Sequence, residues 1–302
     1  MITHDIGAFL AHARTLQPLA PACPKAVFLV APEGLSMAAE SASDNRYMDM
    51  TRVVDGERAL RQHRDLQRAL SATLPTLCFA GDPATPDAVF PNNVFATAPG
   101  RILIARMRHP VRQREAERAD IRGFFTDALG YALHDLRMQP GVGELTGSLV
   151  IDRARGIGFC GLSERCDQTG AAAMHAAFGL RATLLFDLAP GEYHANVVLS
   201  VLAGRAVAIC PDGFADSAAV EAIASLYAPH AVMLDRSEKS AFAGNCIATT
   251  ADTAWMSQMA DAALRTESRN AFARARLHVR SVPLDEIEKA GGSLRCCIGE
   301  IF

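Results

Sequence analysis

The chain alternates between short apolar runs and longer segments with apolar residues at helical spacing. Apolar runs of about four to eight residues, bounded by Gly, Pro, Asn or Asp, are typical of buried strands. The run at 26–31, Ala-Val-Phe-Leu-Val-Ala, is the first of them. The same pattern predicts strands over 77–80, 88–96, 101–105, 148–152, 157–160, 193–202, 205–209, 231–234, 246–250 and 277–282, with 193–202 and 205–209 as a hairpin over Ala203-Gly204.

Segments between these strands have apolar residues three and four positions apart, which predicts amphipathic helices. A pair of strands, a helix and a further strand recur in this order along the chain. That order favours an α/β or α+β fold with mixed sheets. The predicted helices cover 56–70, 112–129, 169–178 and 216–227, and part of 251–271.

The last residues form a short apolar tail behind a glycine turn. Gly291-Gly292-Ser293 precedes Arg295, Cys296 and Cys297, and no polar extension follows. Chain ends are usually the least ordered part of a domain, so an apolar end is expected to dock as a final strand that begins just after Cys296. A cysteine beside an arginine and a flexible turn is a candidate nucleophile. A free cysteine is, however, more often a small buried hydrophobic residue.

Composition excludes several classes of protein. The 302 residues are 50% hydrophobic and 21% charged, as in a folded globular protein. A net charge of -3 gives no basic surface for nucleic acid. No apolar run has the length of a membrane span, and the N-terminus lacks the features of a secretory signal. We therefore expect a cytoplasmic protein with neither nucleic-acid nor membrane partners.

Cysteine and histidine spacing bears on redox state and metal binding. The eight cysteines are scattered without a CxxC pair, and the nine histidines contain no HxxxH pattern. A chain of this length does not need a disulfide framework, so reduced thiols are expected. The same spacing predicts no metal site.

Five short polar islands interrupt the apolar pattern. Each one alone has an ordinary explanation as a turn, a solvated face or an exposed loop. They are 87–95 with Asp87, Asn92 and Asn93; 106–112, which ends at Arg112; 141–148 with Glu144; 161–166 with Arg165; and 191–197 with His194 and Asn196.

Three residues together supply the groups of a thiol-based reaction. Cys296 offers a thiol, His194 a base, and Glu144 a carboxylate that orients or charge-stabilises the other two. This combination outweighs the separate structural explanation for each residue.

The other polar residues suit a substrate with a carboxylate at one end. Arg112 and Arg165 can grip a carboxylate through paired hydrogen bonds. Asp87 and the Asn92-Asn93 pair can hold a polar planar group. The set predicts an amino-acid substrate whose far end is attacked by a thiolate.

The islands resemble the motifs of the guanidine-modifying superfamily of arginine deiminases, amidinotransferases and dimethylarginine dimethylaminohydrolases. The dimethylargininase pattern is recognisable in Asp87-x-Val89-Phe90, in 103–106 followed by Pro110 and Arg112, in 161–165, in His194 and in Cys296-Cys297. The bacterial citrulline-utilisation hydrolases are more similar still, through FPNN at 90–93, ExTGS at 144–148, YHxN at 193–196, FAGN at 242–245 and GGSxRC at 291–296.

This resemblance implies the pentein fold, an α/β propeller of five pseudo-symmetric ββαβ units around a central channel. It implies a single catalytic domain over 1–302, with no cofactor and no metal. By position, Cys296 would be the nucleophile, His194 the general acid/base and Glu144 its carboxylate partner. Arg112 and Arg165 would bind the α-carboxylate of a small amino-acid substrate. The resemblance leaves open whether the protein forms a homodimer.

Departures from the family pattern favour a neutral substrate group. Asn93 and Asn196 stand where arginine deiminases have aspartates, and Asn92-Asn93 stands where dimethylargininases have a Glu-Asp pair. A guanidinium buried against amides lacks charge compensation, whereas a ureido group can both donate to and accept from asparagine. Leu145 also replaces the glycine usual after the catalytic acid, which leaves the backbone there an open question.

We therefore expect hydrolysis of citrulline to ornithine, carbon dioxide and ammonia through a covalent intermediate on Cys296. Two alternatives remain at this point. One is a dimethylargininase or arginine deiminase that releases citrulline, with Asp87 as the compensating charge. The other is a non-catalytic pentein that only binds a partner.

Overall fold

The structure is a computed structural model that describes residues 1–302. Its strands are short, and they are distributed along the whole chain. They are β1 (Ile2–Thr3), β2 (Ala26–Val30), β3 (Thr76–Phe79), β4 (Phe95–Ala98), β5 (Arg101–Ile104), β6 (Ala132–Asp135), β7 (Leu149–Asp152), β8 (Ile157–Leu162), β9 (Ala182–Asp187), β10 (Leu199–Leu202), β11 (Ala206–Ile209), β12 (Ala231–Met233), β13 (Ile247–Ala248), β14 (Thr253–Ser257), β15 (His278–Val282) and β16 (Gly299–Ile301).

Helices separate the strands, and none of them has the length and apolar character needed to cross a membrane. The α-helices are α1 (Ile6–Ala13), α2 (Ala39–Ala42), α3 (Gly56–Ser71), α4 (Pro110–Gln113), α5 (Ala119–Gly123), α6 (Leu145–Ser148), α7 (Gln168–Phe178), α8 (Ala195–Val198), α9 (Ser217–Leu226), α10 (Arg236–Ser240), α11 (Gln258–Ala263), α12 (Thr266–Arg274) and α13 (Asp285–Glu288). Turns of 3₁₀ helix cover Pro91–Asn93, Arg114–Glu117, Pro211–Gly213 and Leu294–Cys297, and a π-helical turn covers Phe124–Ala128.

Five sheets repeat one arrangement. In each sheet an antiparallel strand pair is extended by a third strand that runs parallel to the second. Helical segments connect the second strand to the third, as a parallel connection requires. The sheets are β16-β2-β3, β4-β5-β6, β7-β8-β9 with β1 added at the edge, β10-β11-β12 and β13-β14-β15.

The two ends of the chain share the first of these sheets. β16 pairs antiparallel with β2, with Gly299 opposite Phe28. The apolar tail therefore docks as the sequence predicts, directly after the turn Leu294–Cys297. Ile301 is buried among apolar residues of the first three sheets. The mixed α/β architecture of five ββαβ units is thus confirmed.

A helical turn precedes the first strand in four of the five sheets. These turns are Pro91–Asn93 before β4, α6 before β7, α8 before β10, and Leu294–Cys297 before β16. In the remaining sheet a hydrogen-bonded turn from Phe242 to Asn245 precedes β13. Each turn delays the start of its strand and places polar side chains directly before it.

These turns explain two wrong strand boundaries. The strand predicted over 88–96 begins only at Phe95, because Pro91 has no N–H for a ladder and starts a 3₁₀ turn. The strand predicted over 193–202 begins only at Leu199, since α8 occupies its first half. α8 is a buried helical turn whose sequence, Ala-Asn-Val-Val, has the largely apolar composition of a strand.

Two helix predictions were also incomplete. The helix predicted over 112–129 is broken into α4, a 3₁₀ turn, α5 and a π-helical turn, so its periodicity hides several changes of direction. The region 251–271 contains β14 before its helices, because Thr-Ala-Trp-Met-Ser is a fully buried central strand. Such a strand lacks the polar alternation that would separate it from a buried helix.

Candidate active site

The helical turns meet at the centre of the molecule. α6 contacts both Pro91–Asn93 and α8, and Pro91–Asn93 also contacts Leu294–Cys297. Beside them lies a cavity with about 270 Å³ of space not filled by protein atoms, part of which is open to solvent. Its wall includes Asp87, Asn93, Arg112, Arg165, Tyr193 and Cys296.

Cys296 is buried and surrounded by amides. Its Sγ lies 3.3 Å from Nδ2 of Asn245 and 3.7 Å from Nδ2 of Asn196. Burial raises the pKa of the Cys296 thiol, and the Asn245 hydrogen bond opposes that increase. The resting sulfur is therefore a thiol at neutral pH, and a base is needed to remove its proton during attack.

Glu144 and His194 form a buried pair. Nε2 of His194 lies 2.8 Å from Oε2 of Glu144, and both side chains are fully buried. Burial raises the pKa of Glu144, but the Arg165 charge and the His194 hydrogen bond outweigh it and hold the pKa at about 2. Burial lowers the pKa of His194. Because the ionised Glu144 accepts from Nε2–H, the neutral imidazole keeps a free lone pair on Nδ1.

Gly147 lets the side chains of His194 and Asn93 pack closely against the backbone. A Cβ atom on Gly147 would lie 2.5 Å from Oδ1 of Asn93 and 2.8 Å from Nδ1 of His194. Neither of these two buried atoms has a hydrogen-bond partner. Buried polar atoms without a partner are uncommon in folded proteins, which makes these two atoms candidates for contact with a ligand.

Leu145 has a backbone conformation that is usual for glycine. Its φ is +29°, in the left-handed region that glycine adopts without cost. The Leu145 side chain is fully buried in an apolar cluster, and this packing offsets a backbone cost of about 1–2 kcal/mol. The glycine-like conformation is thus kept with a leucine, as at other strained functional sites.

Arg112 has one nitrogen left for a ligand. Its Nε and Nη2 each lie 2.7 Å from a carboxylate oxygen of Glu115, and Nη2 also donates to the carbonyl of Phe90 at 3.0 Å. Nη1 has no hydrogen bond within the protein. A two-point grip on a substrate carboxylate would therefore need Arg165 as well as Arg112.

Arg165 already holds a carboxylate of the protein. Its Nε and Nη2 donate to Oδ1 of Asp44 at 3.0 and 2.6 Å, and Nη2 also donates to the carbonyl of Ser41 at 2.7 Å. Its Nη1 lies 3.6 Å from Oε2 of Glu144. A substrate carboxylate bound by Arg165 would thus compete with Asp44.

Asp44 and Ser41 belong to a covering segment, residues 38–48, that closes the cavity. Ser41 donates to Oδ2 of Asp87 at 2.5 Å, and Asn45 donates to the carbonyl of Gly291 at 3.4 Å. The other carboxylate oxygen of Asp87 is buried without a partner. Asp87 is therefore positioned to accept a hydrogen bond from a ligand in the cavity.

Replacing Arg165 by Ala is expected to weaken substrate binding more than it slows the chemical step. Hydrogen bonds to charged groups contribute about 1.5–3 kcal/mol, so KM for an amino-acid substrate should rise about 10- to 100-fold. The decarboxylated analogue of the same substrate should show little change. Steady-state kinetics with both compounds tests this, and equal losses for the two would contradict the role.

The remaining predicted residues lie next to this cavity. Asn92 donates to Oγ1 of Thr146 at 3.3 Å, while its own Oδ1 is buried without a partner. Asn196 contacts Cys296 and lines a second cavity, together with Arg295 and Glu300. The structure brings all nine predicted residues to one centre, and their individual roles stay predictions.

Sequence reasoning missed the residues that cover the site and those that hold the thiol. Ser41 and Asp44 lie in a polar stretch with no periodicity, so no pattern distinguishes them from surface residues. Asn245 does have a signal, because it ends the FAGN motif at 242–245 directly before an apolar strand.

Comparison with known proteins agrees with the fold. The profile of a family described as N,N dimethylarginine dimethylhydrolase, eukaryotic, matches residues 31–302. The N(G),N(G)-dimethylarginine dimethylaminohydrolase of Mycobacterium tuberculosis is 28% identical over 264 residues, which are 85% of this chain and 80% of that protein.

Solved structures share the architecture at lower identity. The substrate-bound N-terminal domain of ArgZ, a cyanobacterial arginine dihydrolase, has a TM-score of 0.78 at 19% identity, covering 91% of this chain and 97% of that one. A dimethylarginine dimethylaminohydrolase adduct with 4-chloro-2-hydroxymethylpyridine has a TM-score of 0.69 at 19% identity, covering 92% and 99%. At such identities these likenesses bear on the fold alone.

The five-unit fold and the match to a dimethylarginine hydrolase family define a pentein of the guanidino-modifying superfamily. Within that class, the chain belongs to the N,N dimethylarginine dimethylhydrolase family. It is therefore a pentein hydrolase that acts on non-peptide C–N bonds of guanidino-type groups. This result removes the alternative of a non-catalytic binding module.

Proposed function

We propose that this hydrolase cleaves the ureido group of citrulline to give ornithine, carbon dioxide and ammonia. The observation that supports the substrate is the neutrality of the surroundings of Cys296. Its side-chain hydrogen-bond partners are the amides of Asn196 and Asn245, and Asn93 lines the cavity beside it. A guanidinium that contacts these three amides would gain no charge compensation from them.

Two acids near the cavity, Glu144 and Glu115, already interact with basic groups of the protein. Glu144 accepts from His194 and from the backbone N–H of Arg108, and it faces Arg165. Glu115 is paired with Arg112 through both oxygens. These pairs use their negative charge within the protein, so neither acid is free to balance a substrate cation.

Asp87 is the one acid with a free oxygen facing the cavity, and its position suits the other end of the substrate. The guanidinium of Arg112 reaches the Asp87 carbonyl at 3.4 Å, and Asp87 accepts from Ser41 of the covering segment. A zwitterionic amino acid places its ammonium beside its carboxylate. With the carboxylate at the arginines, Asp87 would receive the α-ammonium.

The first chemical step would use Cys296 and His194. Nδ1 of His194 takes the thiol proton, and the sulfur attacks the ureido carbon to form a C–S bond. The terminal nitrogen receives a proton from the imidazolium and leaves as ammonia. The imidazolium is stabilised by Glu144, whose pKa of about 2 keeps it ionised. A thiocarbamate on Cys296 remains.

The second step releases the enzyme with one water molecule. His194 takes a proton from water, the hydroxide adds to the thiocarbamate carbon, and the C–S bond breaks with return of a proton to sulfur. The carbamic acid of ornithine that results loses carbon dioxide. One citrulline and one water thus give ornithine, carbon dioxide and ammonia.

A panel of citrulline, arginine and dimethylarginine, with the amino-acid product identified and ammonia quantified, tests this proposal. Equal amounts of ornithine and ammonia from citrulline are expected, with Cys296→Ser as the background control. An enzyme that leaves citrulline untouched but turns dimethylarginine or arginine into citrulline would overturn it.

A second candidate is hydrolysis of dimethylarginine to citrulline and dimethylamine. The match to the dimethylarginine hydrolase family and the Mycobacterium tuberculosis relative favour it. In that case Asp87 would have to face the guanidinium, and the panel would show dimethylamine in place of ammonia. The neutral surroundings of Cys296 make this candidate second.

A further inference from the structure

Asn245 occupies in the fifth sheet the position that predicted site residues occupy in three of the other four. Asn93, Asn196 and Cys296 each lie two or three positions before the first strand of a sheet, and Asn245 lies two positions before β13. Its side chain is fully buried. The pseudo-symmetry therefore directs Asn245 toward the same centre, although the proposed reaction has not yet given it a role.

The carboxamide of Asn245 holds Cys296 at two points. Its Oδ1 accepts from the backbone N–H of Cys296 at 3.4 Å, and its Nδ2 lies 3.3 Å from Sγ. The two backbone segments are also joined directly, since the carbonyl of Asn245 accepts a hydrogen bond from the N–H of Arg295 at 3.3 Å. No other side chain contacts both the backbone and the sulfur of Cys296.

A third contact fixes the orientation of the amide. Nδ2 donates one hydrogen to the carbonyl of Asn196 at 2.8 Å, which leaves its second hydrogen for the sulfur. With oxygen and nitrogen exchanged, two acceptors would meet at Asn196 and two donors at the N–H of Cys296. The hydrogen-bond network thus admits one orientation, with the donor directed at Sγ.

The backbone that carries Asn245 is strained in the same manner as the backbone at Glu144. Phe242 has a φ of +63° and lies three residues before Asn245, and the N–H of Asn245 donates to its carbonyl at 2.8 Å. Leu145, next to Glu144, has the other strained turn of this kind. Left-handed conformations in large buried residues are typical of functional sites.

We propose that Asn245 is a positioning residue of the hydrolysis, which fixes Cys296 through its backbone and donates a hydrogen bond to the sulfur as negative charge develops there. This inference rests on the proposed function in one respect, that Cys296 is the nucleophile. A neutral amide is the appropriate donor in such a site, because a lysine or arginine would add a charge and an aspartate has no hydrogen to donate.

The test is the pH dependence of Cys296 alkylation by iodoacetamide in the natural protein, Asn245→Asp and Asn245→Ala. Peptide mass spectrometry resolves Cys296 from Cys297, and the exposed Cys78 serves as the internal reference. Loss of a hydrogen bond to a charged group should move the Cys296 midpoint upward by about one to two pH units. Asn245→Asp should move it at least as far, because a carboxylate repels the thiolate.

Turnover gives the second readout. Both variants should lower kcat about 10- to 100-fold with little change in KM, because the effect acts on the nucleophile. Asn270→Asp makes the same chemical change on the exposed face of α12 and should leave both measurements unchanged. Thermal unfolding checks that the variants fold. If Asn245→Ala does not fold, the isosteric Asn245→Asp provides the test.

An unchanged alkylation profile in folded Asn245→Asp would overturn the proposal and leave Asn245 as part of the scaffold. A rise in KM with kcat unchanged would do the same. Alkylation needs no substrate, so this result stands apart from the choice of citrulline. A shifted profile in an enzyme that does not turn over citrulline would remove the proposed substrate alone.

Discussion

Cys296→Ser is expected to lose essentially all turnover while the protein stays folded. The hydroxyl has nearly the shape of the thiol, so its contacts with Asn196 and Asn245 should persist. A serine at this position lacks thiolate character, and loss of a nucleophile typically costs about 10³-fold or more in rate. Steady-state assay on the best substrate and a thermal unfolding curve measure the two quantities.

Cys297→Ser is the matched control for this prediction. Cys297 is equally buried, but its Sγ contacts the carbonyl of Ser293 at 3.5 Å and does not line the cavity. Burial also raises the pKa of Cys297 well above its usual value. Near-normal turnover in Cys296→Ser together with loss in Cys297→Ser would reverse the assignment of the nucleophile.

His194→Ala should reduce kcat about 10²- to 10⁴-fold and change KM much less. A positioned acid/base contributes on that order, and Nδ1 of His194, the proposed base, has no hydrogen-bond partner within the protein. The variant also leaves Glu144 without its hydrogen-bond donor, although Arg165 still faces that carboxylate. Single-turnover and steady-state rates together separate the chemical step from binding.

His278→Ala, at an exposed position on β15, provides the comparison for His194. It should leave kcat and KM as they are in the natural protein. A His194→Ala enzyme with normal kcat and raised KM would make His194 a substrate contact, and the reaction would then need a different base.

The repeating architecture was partly visible in the sequence. Apolar runs such as 26–31 and 157–160 correspond to β2 and β8, and the tail corresponds to β16. β6 was not predicted, because Ala-Leu-His-Asp at a sheet edge is partly exposed and lacks an apolar pattern. Without such third strands the fivefold repeat of sheets does not appear in the spacing of residues.

The identity of the candidate site residues was more predictable than their pairing and backbone conformation. The motif order suggested Cys296, His194 and Glu144, and the structure places all three at the inner ends of sheets. Sequence could not show that Arg165 is paired with Asp44, since 121 residues separate them and Asp44 lies in an irregular segment. Nor could it show that Leu145 adopts a positive φ, because this conformation is imposed by its buried neighbours.

The most direct test of the central claim is the ratio of kcat/KM for citrulline to that for arginine, in the natural protein and in Asn93→Asp. An uncompensated buried cation costs about 3–5 kcal/mol, so the natural protein should prefer citrulline by about 10²- to 10⁴-fold. The carboxylate of Asn93→Asp should reduce or reverse that preference. A natural protein that prefers arginine or dimethylarginine would contradict the account.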